Sequence, residues 1–146
     1  MRYVTENDIM LAQTADPYTG ETRQEYISRV EKEGRAIVMP GSNELFIDID
    51  SEEDYDRFQA GLSTLQTEHP KVIVTRESPS KEGHPHCHIV VSMPFELSFL
   101  HRIAYQAALG SDNTREILSI FRAEKGDPWP TLFAEDLSGE VDGSFE

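Results

Sequence analysis

In two short stretches near the middle of the chain, a mostly apolar run carries a pair of polar residues two positions apart. Successive side chains of a strand point to opposite faces, so this period of two predicts β-strands. In the first stretch, Asp48 and Asp50 share one face and the aliphatic residues share the other. In the second, His86 and His88 share one face, and the aliphatic residues again occupy the other. The two predicted strands are 45–50 and 86–92.

The remaining pattern predicts helices and further strands around these two. Apolar residues at helical spacing, bounded by capping residues, glycines or turns, indicate four helices. They cover 22–34, the segment after Ser51, 98–110, and a segment from about residue 111. Short apolar runs predict strands at 36–39, 71–76 and 131–134. Turn composition at 78–83 indicates that 71–76 and 86–92 form a hairpin.

From residue 45 the predicted order is strand, helix, strand, strand, helices, strand. This is the α+β, βαββαβ order of ferredoxin-like and RNA-recognition-motif domains, with the helices on one face of the sheet. Right-handed crossovers then place 45–50 between 86–92 and 131–134. We therefore predict an N-terminal arm with a short helix, a ferredoxin-like domain and an acidic tail. Their bounds are 1–35, 36–136 and 137–146.

This topology brings the ionisable side chains of three strands to the face that the helices leave open. Asp48 and Asp50, with a third carboxylate from Glu135 or Asp136, are hard oxygen ligands that suit Mg²⁺ or Mn²⁺. Imidazole holds a phosphate or a softer metal, which is the role expected of the histidines. Divalent ions assist displacement at phosphorus. The predicted chemistry is phosphoryl or nucleotidyl transfer.

The hairpin loop adds groups that could contact phosphate. Its candidates are Arg76, Ser80 and Lys81, together with His86 on the following strand. Isolated basic residues in a loop are more often solvated charges. The alternative reading of these side chains is therefore an ordinary exposed turn.

Composition limits the classes of partner. The 146 residues include 27 acidic and 13 basic ones, a formal charge of −14. This balance disfavours broad adhesion to nucleic acid, which needs Lys and Arg. It leaves open a site that reaches phosphates through bound cations, or a protein that mimics nucleic acid. The single cysteine, and the lack of a membrane-length apolar run or a signal peptide, predict a cytoplasmic protein with no membrane partner.

The strand Phe46-Ile47-Asp48-Ile49-Asp50 resembles the first motif of archaeo-eukaryotic primase-polymerases, in which hydrophobic residues precede Asp-x-Asp. The loop 78–83 and the strand that begins His86-Cys87-His88 are similar to their second motif. The resemblance implies that Asp48 and Asp50 bind metal and that His88 contacts the incoming nucleotide. Glu135 is the candidate for the third, acidic motif. A replication-associated protein acting on a nucleotide or single-stranded nucleic acid is the expectation.

The same histidine strand also resembles the His-hydrophobic-His strand of rolling-circle replication nickases. That resemblance implies histidine ligands to the metal, and a tyrosine nucleophile for which Tyr105 is the candidate. The purely structural alternatives to these functional roles are helix packing for Tyr105 and a position next to a helix cap for Asp50. A third hypothesis is a non-catalytic domain that binds a replication or host protein.

Overall fold

The computed structural model describes residues 1–4, 20–79, 82–126 and 131–136, with residues 135 and 136 described as backbone only. The helices are α1 (Arg23–Lys32), α2 (Glu52–Glu68), α3 (Phe99–Ala108) and α4 (Asn113–Glu124). The strands are β1 (Arg2–Val4), β2 (Arg35–Met39), β3 (Glu44–Ile49), β4 (Ile73–Pro79), β5 (Cys87–Ser92) and β6 (Phe133–Asp136). The α+β class is confirmed: the described residues form four helices and two antiparallel sheets of three strands.

Helix starts follow the capping chemistry of the sequence. Ser51 and Ser98 accept hydrogen bonds from the third backbone N–H of α2 and α3, as N-caps do. Thr22 and Glu25 form a capping box at the start of α1. Asp112 caps α4, so this helix begins slightly later than the predicted start near residue 111.

The first sheet has the order β3-β5-β4. Asp48 lies directly opposite His88 in the β3–β5 register. The predicted hairpin between β4 and β5 is confirmed, although β4 extends to Pro79 rather than ending at residue 76. The aliphatic face of β3 and β5 packs against Phe58 of α2 and Leu109 beyond α3. We call this side of the sheet the apolar face.

The second sheet has the order β1-β2-β6 and corrects the predicted topology. We expected the last strand to lie beside β3, but β6 pairs with β2, and the ferredoxin-like order is not found among the described strands. β1 pairs with β2, and Ile27 and Val30 of α1 pack on this sheet. The predicted N-terminal arm therefore contributes a strand to the second sheet and a helix that packs on it. The predicted tail at 137–146 lies outside the described residues.

Hydrogen-bonding groups from outside the sheet occupy the edge of β3 that faces away from β5, which explains why β6 does not pair there. The backbone N–H groups of Phe46 and Asp48 donate to Gln106 Oε1 at 2.9 Å and Ser111 Oγ at 3.1 Å. The N–H of Asp112 donates to the Asp48 carbonyl at 2.8 Å. These groups occupy the ladder positions that a neighbouring strand would need.

The two sheets pack face to face. Val38 and Phe133 of the second sheet contact Phe46 and Val90 of the first, and α1 covers the far side of the second sheet. The order of layers is α2 and α3, first sheet, second sheet, α1. The side of the first sheet that we predicted to be open is thus partly covered. None of the helices in the described ranges has the length and apolar content of a membrane span.

Candidate phosphate and metal site

A cleft of about 640 Å³ lies against the ionisable face of the first sheet. Its walls come from α1, α4, the β4–β5 hairpin and the start of β6. We call this side of the sheet the cleft face. Four side chains predicted from the two sequence motifs line the cleft together: Asp48, Asp50, His86 and His88. The sequence prediction that the acidic and histidine faces coincide is confirmed.

Asp48 and His88 form the deepest pair of the cleft. Asp48 Oδ1 lies 3.7 Å from His88 Nε2, and the His88 ring stacks on Phe133 with 4.1 Å between the ring centroids. His88 Nδ1 is buried and has no hydrogen-bond partner in the described part of the chain. Phe133 also stacks on Phe46, so the imidazole is the outer member of a ring stack that reaches the core. This packing fixes the orientation of the ring.

Burial makes both members of this pair favour their neutral forms. It raises the pKa of Asp48 to about 7, assisted by the charges of Asp112 and Asp50 and opposed by Arg115. It lowers the pKa of His88 to about 4, and the charge of Arg35 acts in the same direction. Because removal from water penalises the charged forms, the short separation is not that of a stable ion pair at neutral pH. The pair is suited to exchange a proton.

A second group lies nearer the rim. His86 Nδ1 is 2.7 Å from Asp50 Oδ1 and 3.0 Å from Glu82 Oε2. One ligand atom from each of these three residues lies within 4.8 Å of the other two. Gly83 adopts a positive φ of 77°, and its carbonyl accepts the His86 N–H, so this turn brings the Glu82 and His86 side chains together. We call these three residues the acid–histidine group.

Arginines also line the cleft. We call Arg23, Arg35, Arg115 and Arg122 the basic wall; they come from α1, β2 and α4. Arg115, Ser119 and Arg122 share one helical face of α4, at the spacing expected of helical neighbours. Tyr26 of α1 also lines the cleft. Burial raises the pKa of its hydroxyl, and the positive charges of Arg115, Arg35, Arg23 and Arg29 oppose that effect.

Other predicted site residues do not join this cleft or are not described. Arg76 lies opposite Val90 on β4 and is not among the cleft residues. Tyr105 packs against the core on the apolar face and lies near Phe95. Ser80 and Lys81 fall outside the described residues. The backbone of Glu135 pairs with Ala36, while its side chain is outside the described part.

The sequence prediction missed Glu82 and the basic wall. Glu82 lies in a segment with turn composition, and its only signal is the four-residue spacing to His86. The α4 arginines carried a clearer signal, because Arg115, Ser119 and Arg122 fall on one polar helical stripe. Arg23 and Arg35 carried none, since their proximity depends on the unpredicted second sheet.

Comparisons with protein-family models, with curated proteins and with solved structures found no match to this chain. The function of the cleft is therefore inferred from its own geometry and chemistry.

Proposed function

We propose that the cleft binds a nucleotide together with a divalent metal ion and supports metal-dependent nucleotidyl transfer. The observation that carries the proposal is the acid–histidine group, in which Asp50, Glu82 and His86 bring three ligand atoms within 4.8 Å of one another. Asp48 and His88 lie beside this group in the same cleft. The ligand is a nucleotide or the end of a single-stranded nucleic acid.

The chemistry of the acid–histidine group favours Mn²⁺ over Mg²⁺. Carboxylate oxygens accept either ion, whereas an imidazole nitrogen suits the softer transition metals better than Mg²⁺. Asp48 is not a member of the group. It precedes Asp50 by two residues and lies directly opposite His88 in the strand register. A bound ion would neutralise charge on phosphate oxygens and polarise the phosphorus centre.

His88 and Asp48 are the residues of this chain that we assign to proton transfer and ligand orientation. A neutral imidazole accepts a proton, and a carboxyl with a pKa of about 7 gives or takes one at physiological pH. The stacked Phe133 ring keeps the imidazole in one orientation. His88 is also the group for which the primase-polymerase resemblance implies contact with the nucleotide.

Metal binding by matched variants tests the proposal. Mn²⁺ binding is measured by titration, with the electron paramagnetic resonance signal reporting the free ion. The affinity of Asp50→Asn and of His86→Ala for Mn²⁺ should be lower than that of the wild type by a factor of about 10 or more. His84 and Glu52 supply the control, because they form an exposed histidine–carboxylate pair at 2.8 Å. His84→Ala and Glu52→Gln should bind Mn²⁺ like the wild type.

Nucleotide binding completes the test. Fluorescent ATP should bind more tightly with Mn²⁺ than with a chelator, and Asp50→Asn should abolish the difference. Extension of a primed single-stranded template should require Mn²⁺ and decline in His88→Ala. Mn²⁺ affinity that is equal in the Asp50 and Glu52 variants would remove the basis of the proposal. Metal-dependent ATP binding without extension would leave the binding function and refute the transferase.

A further inference from the structure

Five of the nine arginines of this acidic chain line a single cleft. Arg29 is paired with Glu21 and Glu33 at its outer edge. The other four form the basic wall. Arg23 and Arg122 are 7% and 8% exposed, which is unusual for arginine. In a protein with a formal charge of −14, more than half of the arginines therefore share one cleft.

The basic wall converges from three elements rather than following one. Arg23 comes from α1, Arg35 from the start of β2, and Arg115 and Arg122 from one face of α4. The charges of Arg23, Arg35 and Arg115 all act on the Tyr26 hydroxyl. Arg35 also acts on His88 and Arg115 on Asp48, and all four of these side chains line the cleft.

The cleft therefore contains two groups of opposite character. The acid–histidine group would hold a cation, and the basic wall carries four guanidinium groups. A ligand that satisfies both groups carries several negative charges close together and also coordinates a metal. Guanidinium groups suit phosphate because their planar N–H donors match its oxygens. A volume of about 640 Å³ is within the range of pockets that enclose small ligands.

We propose that the basic wall, with Arg35 and Arg115 as its main contacts, binds the terminal phosphates of a nucleoside polyphosphate. This inference rests on the proposed function for the position of the metal, but assigns a separate subsite. A cluster of arginines from three elements within one cleft favours a compact polyphosphate, whereas the phosphodiester backbone of a strand requires a row of charges. It also moves phosphate recognition from the hairpin residue Arg76 to α1, β2 and α4.

Inorganic tripolyphosphate is the probe, because it has no base and isolates the phosphate subsite. Calorimetric titration in the presence of a chelator should detect binding to the wild-type protein without metal. Arg115→Gln and Arg35→Gln should each weaken binding about 10-fold, the effect of losing one charge-assisted contact. Arg115 is exposed on α4, so its variant should fold even if Arg35→Gln does not. Arg115→Lys should retain part of the affinity.

Arg57→Gln is the matched control, since Arg57 is an exposed helical arginine paired with Asp54 outside the cleft. It should bind tripolyphosphate like the wild type. Equal affinity in the Arg115 and Arg57 variants would overturn the inference even where Mn²⁺-dependent ATP binding persists. Tripolyphosphate binding that depends on Arg115 would support it even where Asp50→Asn leaves Mn²⁺ affinity unchanged, which is the failure of the proposed function.

A single-stranded oligonucleotide without a 5′ phosphate distinguishes the two sources of phosphate. Tripolyphosphate should compete for ATP, and the oligonucleotide should compete poorly. An oligonucleotide that binds more tightly than tripolyphosphate, with the same loss in Arg115→Gln, would overturn the polyphosphate assignment in favour of strand binding.

Discussion

The two faces of the first sheet are built from the same strands but differ in what they can do. On β3 the apolar face carries only aliphatic residues, and Leu45, Ile47 and Ile49 are fully buried beneath the helices. The cleft face changes along β3. Phe46 is fully buried under the second sheet, the Asp48 side chain is 26% exposed, and the Asp50 side chain is 53% exposed. The candidate chemistry begins where the second sheet stops covering the first.

This contrast separates residues whose burial stabilises the fold from residues whose burial lowers its stability. Burial of apolar side chains on one face contributes about 25 cal/mol per Å². On the other face, burial disfavours the charged form of Asp48, and a group kept in such a place is a candidate for function rather than stability. Substitutions on the two faces should therefore change stability in opposite directions.

The largest effect is expected on the apolar face. Ile47→Ala should lower the free energy of unfolding by about 2–5 kcal/mol, because the lost side chain leaves a cavity among fully buried neighbours. Ile73 is the matched control: it is also a strand isoleucine, but 53% exposed. Ile73→Ala should change stability by less than about 1 kcal/mol. Urea unfolding measures both. Equal losses in the two variants would contradict the contrast.

An intermediate effect is expected at the edge of β3, where a polar network replaces a strand. Gln106 Oε1 accepts the Phe46 N–H, and its Nε2 donates to both carboxylate oxygens of the buried Glu116 at 2.9 and 3.0 Å. Gln106→Leu leaves both partners without this contact. It should cost roughly 2–3 kcal/mol in urea unfolding at pH 8.

The pH dependence of that loss identifies its cause. Burial raises the pKa of Glu116 to about 7, and the hydrogen bonds from Gln106 oppose this. A raised folded pKa means that the native state binds more protons, so stability falls as pH rises from about 4 to about 7. Removing Gln106 should raise the pKa of Glu116 further, so the fall should extend to higher pH and become larger. A double variant, Gln106→Leu with Glu116→Leu, should recover part of the loss, and strict additivity would contradict the network.

Local pattern was sufficient to predict much of the fold. The alternation in β3 and β5, the caps at Ser51 and Ser98, and the hairpin all follow from short-range chemistry. The same alternation placed Asp48, Asp50, His86 and His88 on one face. These features depend on neighbouring residues in the sequence, and they are the part of the site that the sequence determines most directly.

Pairing between distant segments was not predictable in the same way. β1 has three residues, too few to show an alternation, and β6 has four. Whether β6 joins β2 or β3 depends on Gln106 and Ser111, which look like ordinary polar residues of a helix and its end. Arg23 and Arg35 reach the cleft only because the second sheet exists. This part of the candidate site therefore followed from a topology that the pattern did not contain.

The smallest expected effect has the opposite sign and lies on the cleft face. Burial raises the pKa of Asp48 to about 7, whereas an unfolded aspartate has a pKa of about 3.9. The native state therefore holds the extra proton between these values. Its stability falls as pH rises through this window, and the full cost is present above it. Asp48→Asn should raise the free energy of unfolding by roughly 1–2 kcal/mol at pH 8, a value reduced by the partial exposure of the side chain.

Because asparagine does not titrate, the advantage of Asp48→Asn should shrink as pH falls and disappear near about pH 4. Urea unfolding with a chelator at several pH values measures this convergence. Asp56→Asn, on the exposed surface of α2, is the control and should change the free energy of unfolding at pH 8 by less than about 0.5 kcal/mol. If Asp48→Asn instead destabilises the protein at pH 8, the carboxylate contributes to the fold, and the two faces do not differ in the way their burial implies. A stabilised variant that also loses nucleotide binding would show that Asp48 is retained for the chemistry of the cleft at a cost in stability.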